Sequence, residues 1–368
     1  MKINIDVVKP GMVAKHAIYE KNQSYPLINE NSIITEFDLA KLKNRGFKSI
    51  HVKTNGEIEE NSSFVLYDYL RDAYEKLDYV KVVELSKELV SKMLNNPYPV
   101  LNLNHYFEVN EDDFMHKFNI CLMSTFIGII YNKEQFYKEK IVKLDYLAAA
   151  SIMQDIGKKY QNAEIFKNIF SPKLNRVMFP GYDEKMFSNY DEKLYPLYSY
   201  AMMNNEAEIP AALKNIFLYL NEREDGRGIF KIPKEVMSNS NRKDIICSKI
   251  INIARQYDYL LTQVIKNDID VANIPIIMNQ AVVSNGLSEE LVNMFLNYIP
   301  IYAKGTRVLL SNYQTGFIKN INLQFINKPV VIIENTNELV DLSQREDIFI
   351  KKIIELEFIE AKSNSITK

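Results

Sequence analysis

Four short stretches of the chain carry residue types that could do chemistry. Gln154-Asp155-Ile156-Gly157-Lys158 follows the apolar run LDYLAAASIM. A carboxylate, a glycine and a lysine at a helix end can hold a metal and a phosphate. The same residues can simply end a helix, with Gly157 stopping it and Lys158-Lys159 placed near the negative end of its dipole. In Asn221-Glu222-Arg223-Glu224-Asp225-Gly226-Arg227-Gly228-Ile229-Phe230, the glycine spacing with Arg223 and Arg227 could approach a phosphate. It reads equally as a solvated helix end running into a turn. Ala254-Arg255-Gln256-Tyr257-Asp258 sits in a helical stretch whose Ile250, Ile251, Ile253 and Leu260 are core-like. Asp112 and His116 are four apart, hence on one helix face and correctly spaced for two ligands; a lone acid–histidine pair of this kind is also an ordinary surface pairing.

Composition narrows the choice. There are only four histidines, His16, His51, His105 and His116, so a site needing several imidazoles must draw them from distant segments. The two cysteines, Cys121 and Cys247, exclude a disulfide framework and fit a reducing compartment. Lys+Arg 45 against Asp+Glu 47 leaves a formal charge of −2, which makes no general electrostatic case for a nucleic-acid polymer or an anionic membrane. No apolar run approaches the ~20 residues that span a bilayer. The start MKINIDVVKPGMV lacks the pattern of a signal peptide, and the expected localisation is cytoplasmic. With 47% hydrophobic residues, extensive disorder is excluded, and 368 residues suggest more than one domain.

The elements that must position these stretches fall into parts. Residues 1–58 read as a small αβ unit: Ile3–Val8 alternates up to Pro10-Gly11, Thr35 precedes a helix stopped at Gly46, and Lys48–Lys53 reads as a strand. From 63 to 300 the signal is helical. Phe64, Leu66, Tyr69, Leu70, Ala73, Leu77, Val80, Val83 and Leu85 keep a period near 3.6. Further helices are expected at 112–132, 136–159, 190–204, 207–222, 243–266, 269–284 and 288–298, with long loops at 170–189 and 224–242. Residues 301–342 carry three short β-like runs, and 343–368 are expected to form a C-terminal helix or tail. The fold class is mainly α, with a small N-terminal αβ domain and a short C-terminal β appendage.

Taken in order, these segments resemble the HD-GYP family of bacterial cyclic di-GMP phosphodiesterases. The stretch VVKPGMVAKHAIYEKNQSYPLINENSIITEFDLAKLKNRGFKSIHV is similar to the small domain that precedes HD-GYP domains. QDIGK stands where the family has HDIGK, NEREDGRGIF where it has HHERxDGxGYP, and ARQYDYLLT where it has ADxYDALT. IYAKGTRVLLSNYQTGFI is similar to the β extension that often follows. The resemblance implies an HD-type helical domain. It also places the family's metal ligands at Asp112, His116, Gln154, Asp155, Tyr195, Leu220, Asn221 and Arg255. Of these eight positions only Asp112, His116 and Asp155 keep a side chain that readily binds a transition metal.

The family would use iron or manganese; the residues here imply no metal, no other cofactor and no catalytic residue. They imply a non-catalytic signalling protein, a pseudoenzyme that acts by binding or scaffolding a protein partner, with the oligomeric state left open. Two alternatives stand beside it: a phosphodiesterase with an altered site on Asp112, His116 and Asp155, and a non-hydrolysing cyclic di-GMP receptor. The receptor would draw phosphate contacts from Lys158, Arg223, Arg227 and Arg255, since arginine suits phosphate. Tyr195 and Leu220 are expected to fill the space of ligand histidines. An Asp155–Arg255 ion pair is expected to stand in for the metal.

Overall fold

The computed structural model describes residues 2–5, 8, 12, 14–20, 26–28, 32, 34–52, 65–95, 113–135, 142–159, 194–204, 206–238, 242–265, 273–302, 305–322 and 325–356. Asp112 and the expected loop at 170–189 lie outside them.

The N-terminal unit has its own core. Strand β1 (Lys2–Asn4) pairs antiparallel with β2 (Ser49–His51), and helix α1 (Glu36–Asn44) lies between them in sequence. A capping box starts α1: the Thr35 side chain accepts from the Asp38 amide, and the Asp38 carboxylate accepts from the Thr35 amide at 3.0 Å. At its other end Gly46, at φ +75°, lets the Phe47 amide turn back to the Leu42 carbonyl. Ile34, Leu42, Ile50 and Val52 form an apolar cluster separate from that of the helical body.

The helical body begins with α2 (Val65–Glu75) and α3 (Tyr79–Asn95). The apolar period runs through both, but the backbone does not. Leu77 takes φ +57°, the Asp78 amide reaches back to the Ala73 carbonyl, and the Asp78 carboxylate accepts from the Lys81 amide to start α3. Helix α4 (Asp113–Glu134) is the central element, with Phe118 to Tyr131 buried throughout. It is long and apolar enough to cross a bilayer, which its sequence does not suggest, but 89% of its apolar 18-residue window is buried inside the protein. Helix α5 (Leu144–Met153) packs directly on it. The approach is close because Gly128 of α4 has no Cβ; one would lie 2.6 Å from the Leu147 side chain. Three consecutive alanines, Ala148 to Ala150, are fully buried in α5, and the Cys121 thiol donates to the Ala148 carbonyl at 3.4 Å.

A 3-10 turn (Ile156–Lys159) ends α5. Then come α6 (Tyr195–Asn204), α7 (Ala211–Leu218), the short α8 (Lys234–Met237), α9 (Lys243–Ile265), α10 (Ile274–Ser284) and α11 (Glu289–Tyr298). The protein is mainly helical, as expected.

The C-terminal appendage is larger than the three runs in the sequence. Strands β3 (Thr306–Leu310), β4 (Thr315–Asn320), β5 (Val330–Ile333), β6 (Leu339–Asp341) and β7 (Ile350–Leu356) form one antiparallel sheet in the order β6-β5-β4-β3-β7. The expected helix or tail after 342 is therefore corrected at 350–356. Ile350 and Ile353 are buried along the free side of β3, and two register shifts in β3 accommodate them. Buried residues of the sheet, Val308, Leu310, Ile318 and Val331, join the apolar cluster of the helices.

Candidate functional site

Asp155 leaves the end of α5 one residue after Gln154 and points its carboxylate into a cationic surround. The Lys117 ammonium lies 3.2 Å from Asp155 Oδ2, that of Lys158 lies 3.6 Å away, and the Tyr74 hydroxyl donates to Oδ1 at 3.3 Å. The Lys117 side chain is 2% exposed and that of Asp155 12%, so this is a buried ion pair. Lys117 also holds the Asp113 carboxylate and donates to the Asp113 carbonyl at 3.3 Å. Burial first, and the Asp155 charge second, push the Tyr74 phenol far above its ordinary range, so it stays a donor.

The Gly157 of this turn is required by the contact it makes. A Cβ there would lie 2.3 Å from the Tyr195 carbonyl oxygen and 2.5 Å from the Ser199 nitrogen. Without one, the Gly157 amide donates to the Ser199 hydroxyl at 2.9 Å and α6 closes on the turn. That brings Tyr195 beside Lys158, whose ammonium is 4.9 Å from the ring centroid. The Arg255 guanidinium of α9 lies 5.4 Å from the same ring. Arg255 donates to Asn252 at 3.2 Å and to Asn221 at 3.4 Å.

The structure thus gathers Asp155, Lys158, Tyr195, Asn221 and Arg255 into one neighbourhood, but not with the expected pairing. Asp155 and Arg255 form no ion pair. The compensating cation is Lys117, which reaches Asp155 from α4, while Arg255 sits against the Tyr195 ring and two amides. Tyr195 is 6% exposed and Leu220 fully buried, and both belong to the buried cluster of the helices, Tyr195 with the Lys158 and Arg255 cations near its ring. Gln154 is buried with its amide oxygen lacking a partner among the described residues.

His116 faces elsewhere. Its Nδ1 is 2.7 Å from Asp258 Oδ2, and Asn119 donates to the other carboxylate oxygen at 3.3 Å. That hydrogen bond raises the His116 pKa above its ordinary value against the opposing effect of burial. Among the described residues, no three of His, Cys, Asp and Glu converge as a metal-binding group.

The stretch from Glu222 to Gly228 is a scaffold for its own loop. The Glu222 carboxylate accepts from the Phe230 amide at 2.7 Å and the Ile232 amide at 3.5 Å, and burial pushes its pKa up to about 7. Gly228 lies so close that a Cβ would meet Glu222 Oε2 at 2.3 Å. Arg223 makes two bonds to Asp225, at 3.0 and 2.5 Å, and a third to the Ser284 carbonyl at 2.7 Å, so its donors are engaged within the fold. Arg227 is exposed, and its backbone amide donates to Asp225. Beside this loop an open cleft of about 500 Å³ is lined by Asn221, Asn252, Arg255, Gln256, Tyr259 and Asn285, among others.

Lys117 and Tyr74 were missed in the sequence. The available signal was that Lys117 is the one lysine in the apolar stretch Phe114–Ile130, four residues after Asp113.

No family model and no curated protein matches the chain. Among solved structures, it is similar to Bd1817, a HDG"Y"P protein from Bdellovibrio bacteriovorus. The two share 9% identity at a TM-score of 0.43 over 80% of this chain and 97% of the other.

Proposed function

We propose that the protein is an HD-GYP-like signalling protein of HD-type fold that does not hydrolyse cyclic di-GMP and works by binding a protein partner. The observation that carries this is the Lys117 ammonium, 3.2 Å from the Asp155 carboxylate. Asp155 is the one remnant of the family's His-Asp pair, and a divalent metal there would meet a buried positive charge at contact distance. The remaining donor set does not suit iron or manganese either. Gln154 offers an amide, Tyr195 a phenol, Leu220 nothing, and Arg255 a fixed cation. His116 is turned to Asp258. Two buried free thiols, Cys121 and Cys247, are in keeping with a reducing, cytoplasmic setting.

A second reading, a cyclic di-GMP receptor without hydrolysis, is favoured by one observation. Arg255 meets only amides and a ring among the described residues, and it lines the 500 Å³ cleft. Of the four cations first considered for phosphate, Arg223 is bound to Asp225 and Lys158 is paired with Asp155, which leaves Arg255 and the exposed Arg227.

The deciding experiment incubates the purified protein with cyclic di-GMP and manganese or iron(II), and separately titrates the nucleotide without metal. No turnover is expected. Metal-dependent turnover that disappears in an Asp155→Ala protein overturns the proposal. Saturable nucleotide binding lost in Arg255→Ala selects the receptor reading.

A further inference from the structure

Helices α4 and α9 pack on one another and bring together two residues 142 positions apart, His116 and Asp258. The pair is asymmetric. The Asp258 side chain is 7% exposed, whereas that of His116 is 46% exposed. Asp258 Oδ2 lies 2.7 Å from His116 Nδ1, and Asp258 Oδ1 accepts from the Asn119 amide at 3.3 Å. Both carboxylate oxygens therefore act as acceptors, which puts the ring proton on Nδ1. Asn119 is buried and its Oδ1 lacks a partner among the described residues, so what orients its amide is the Asp258 carboxylate.

With the Nδ1 edge set against a buried carboxylate, the exposed part of the imidazole is its Nε2 edge, and Nε2 carries the lone pair. A neutral imidazole held in this tautomer, with Nε2 turned to solvent, is a nucleophile whose ring can take up positive charge as it reacts. Its place also suits an anionic group. His116 lies in the first turn of α4, the end whose free amides favour negative charge. The acid of that turn, Asp113, is paired with Lys117. Two long helices fix the histidine and its carboxylate, so the arrangement does not have to be assembled when a reactant arrives.

We infer that His116 is a phosphoryl-accepting histidine, modified at Nε2 by a donor that carries its phosphoryl group on nitrogen. The Nε2 lone pair forms the bond to phosphorus as the donor's P–N bond breaks, and the electron pair of that bond leaves with the donor nitrogen. With phosphoramidate, whose nitrogen is already protonated, the leaving group is ammonia. The ring becomes a phosphorylated imidazolium that keeps its Nδ1 proton, and Asp258 is the positioning residue that offsets its charge. The step does not use the Asp155 carboxylate, so this inference and the proposed function can fail separately.

The test incubates the full chain with phosphoramidate at mildly alkaline pH, where imidazole is neutral. Peptide mass spectrometry under non-acidic conditions locates the label, and phosphorus NMR tells the Nε2 from the Nδ1 isomer. His16 and His51, both more exposed than His116, are references within the same sample. If exposure alone set the rate, they would react first. His116 is instead expected to be labelled at Nε2 at least about tenfold faster than either, the effect of one charge-assisted hydrogen bond. Asp258→Asn, which keeps the shape of the pair, should bring His116 down to the rate of the references, and His116→Gln should leave only theirs. Labelling of His116 no faster than that of His16 and His51, reaction at Nδ1, or an unchanged His116 rate in a folded Asp258→Asn protein overturns the inference.

Discussion

Replacing Lys117 by methionine tests the central electrostatic claim. The substitution keeps most of the apolar stem and removes the ammonium, leaving Asp155 charged and 12% exposed. At 3.2 Å and an effective dielectric of about 20, the gross attraction between the two charges is about 5 kcal/mol. Burying the ammonium offsets part of that, and breaking a buried pair by removing one partner typically costs about 3–5 kcal/mol. Asp155 would still keep Lys158 at 3.6 Å and the Tyr74 hydroxyl at 3.3 Å. The expected loss is therefore about 2–3 kcal/mol, at or just below the lower end of that range. Urea unfolding followed by far-ultraviolet circular dichroism measures it. Adding Asp155→Asn to Lys117→Met should restore a large share of the stability, because the orphaned charge goes with it. A loss below about 0.5 kcal/mol, or a double variant no more stable than Lys117→Met alone, would refute the assignment of Lys117 as the compensating cation.

Other perturbations follow from the same geometry. Glu222 is held at a pKa of about 7, above its ordinary 4.5, so its contribution is full below pH 4.5 and is lost as pH rises to about 7. Chemical denaturation across that window should show a decline of up to about 3 kcal/mol that Glu222→Gln flattens. The raised pKa of His116 acts in the same direction at higher pH: its contribution is present below 6.5 and fades above that, and Asp258→Asn should remove this part of the pH profile. Gly157→Ala forces a Cβ against backbone atoms at 2.3 and 2.5 Å, and should cost about 3 kcal/mol or prevent accumulation of folded protein, read as a lowered melting temperature or soluble yield. Arg255→Ala, by contrast, removes only amide and ring contacts among the described residues and should cost less than about 1.5 kcal/mol by the same urea assay.

The long helices were legible because period and boundaries agree. Helix α9 was expected at 243–266 and runs Lys243–Ile265; α11 was expected at 288–298 and runs Glu289–Tyr298. The break between α2 and α3 was not legible, since leucine at position 77 gives no signal for a left-handed turn. Strand β7 was missed for another reason. Its sequence IKKIIEL fits either period, and only the open side of β3, far away in sequence, decides for a strand. At the candidate site, sequence order placed Asp155, Tyr195, Asn221 and Arg255 near one another. Which cation meets Asp155 depends on how α4 lies against the end of α5, and that is set by the close approach at Gly128 and the alanines of α5. The apolar neighbours of Lys117 hint that it is buried, but which carboxylate it meets is decided only by that packing.

The sheet order β6-β5-β4-β3-β7 also sets a timetable for synthesis. β3, β4, β5 and β6 can pair one after another as they leave the ribosome, but β3 has to wait for β7 on its other side. About 40 residues separate Leu310 from Ile350, which at ordinary elongation rates is a delay of roughly 2–8 s. During that interval the apolar strand TRVLL presents an unpaired edge to whatever else is nascent nearby. Once β7 docks, the outer border of the sheet carries the exposed Lys351 and Lys352, and a charged margin replaces an adhesive one. The window of vulnerability to mispairing thus belongs to the growing chain rather than to the finished fold.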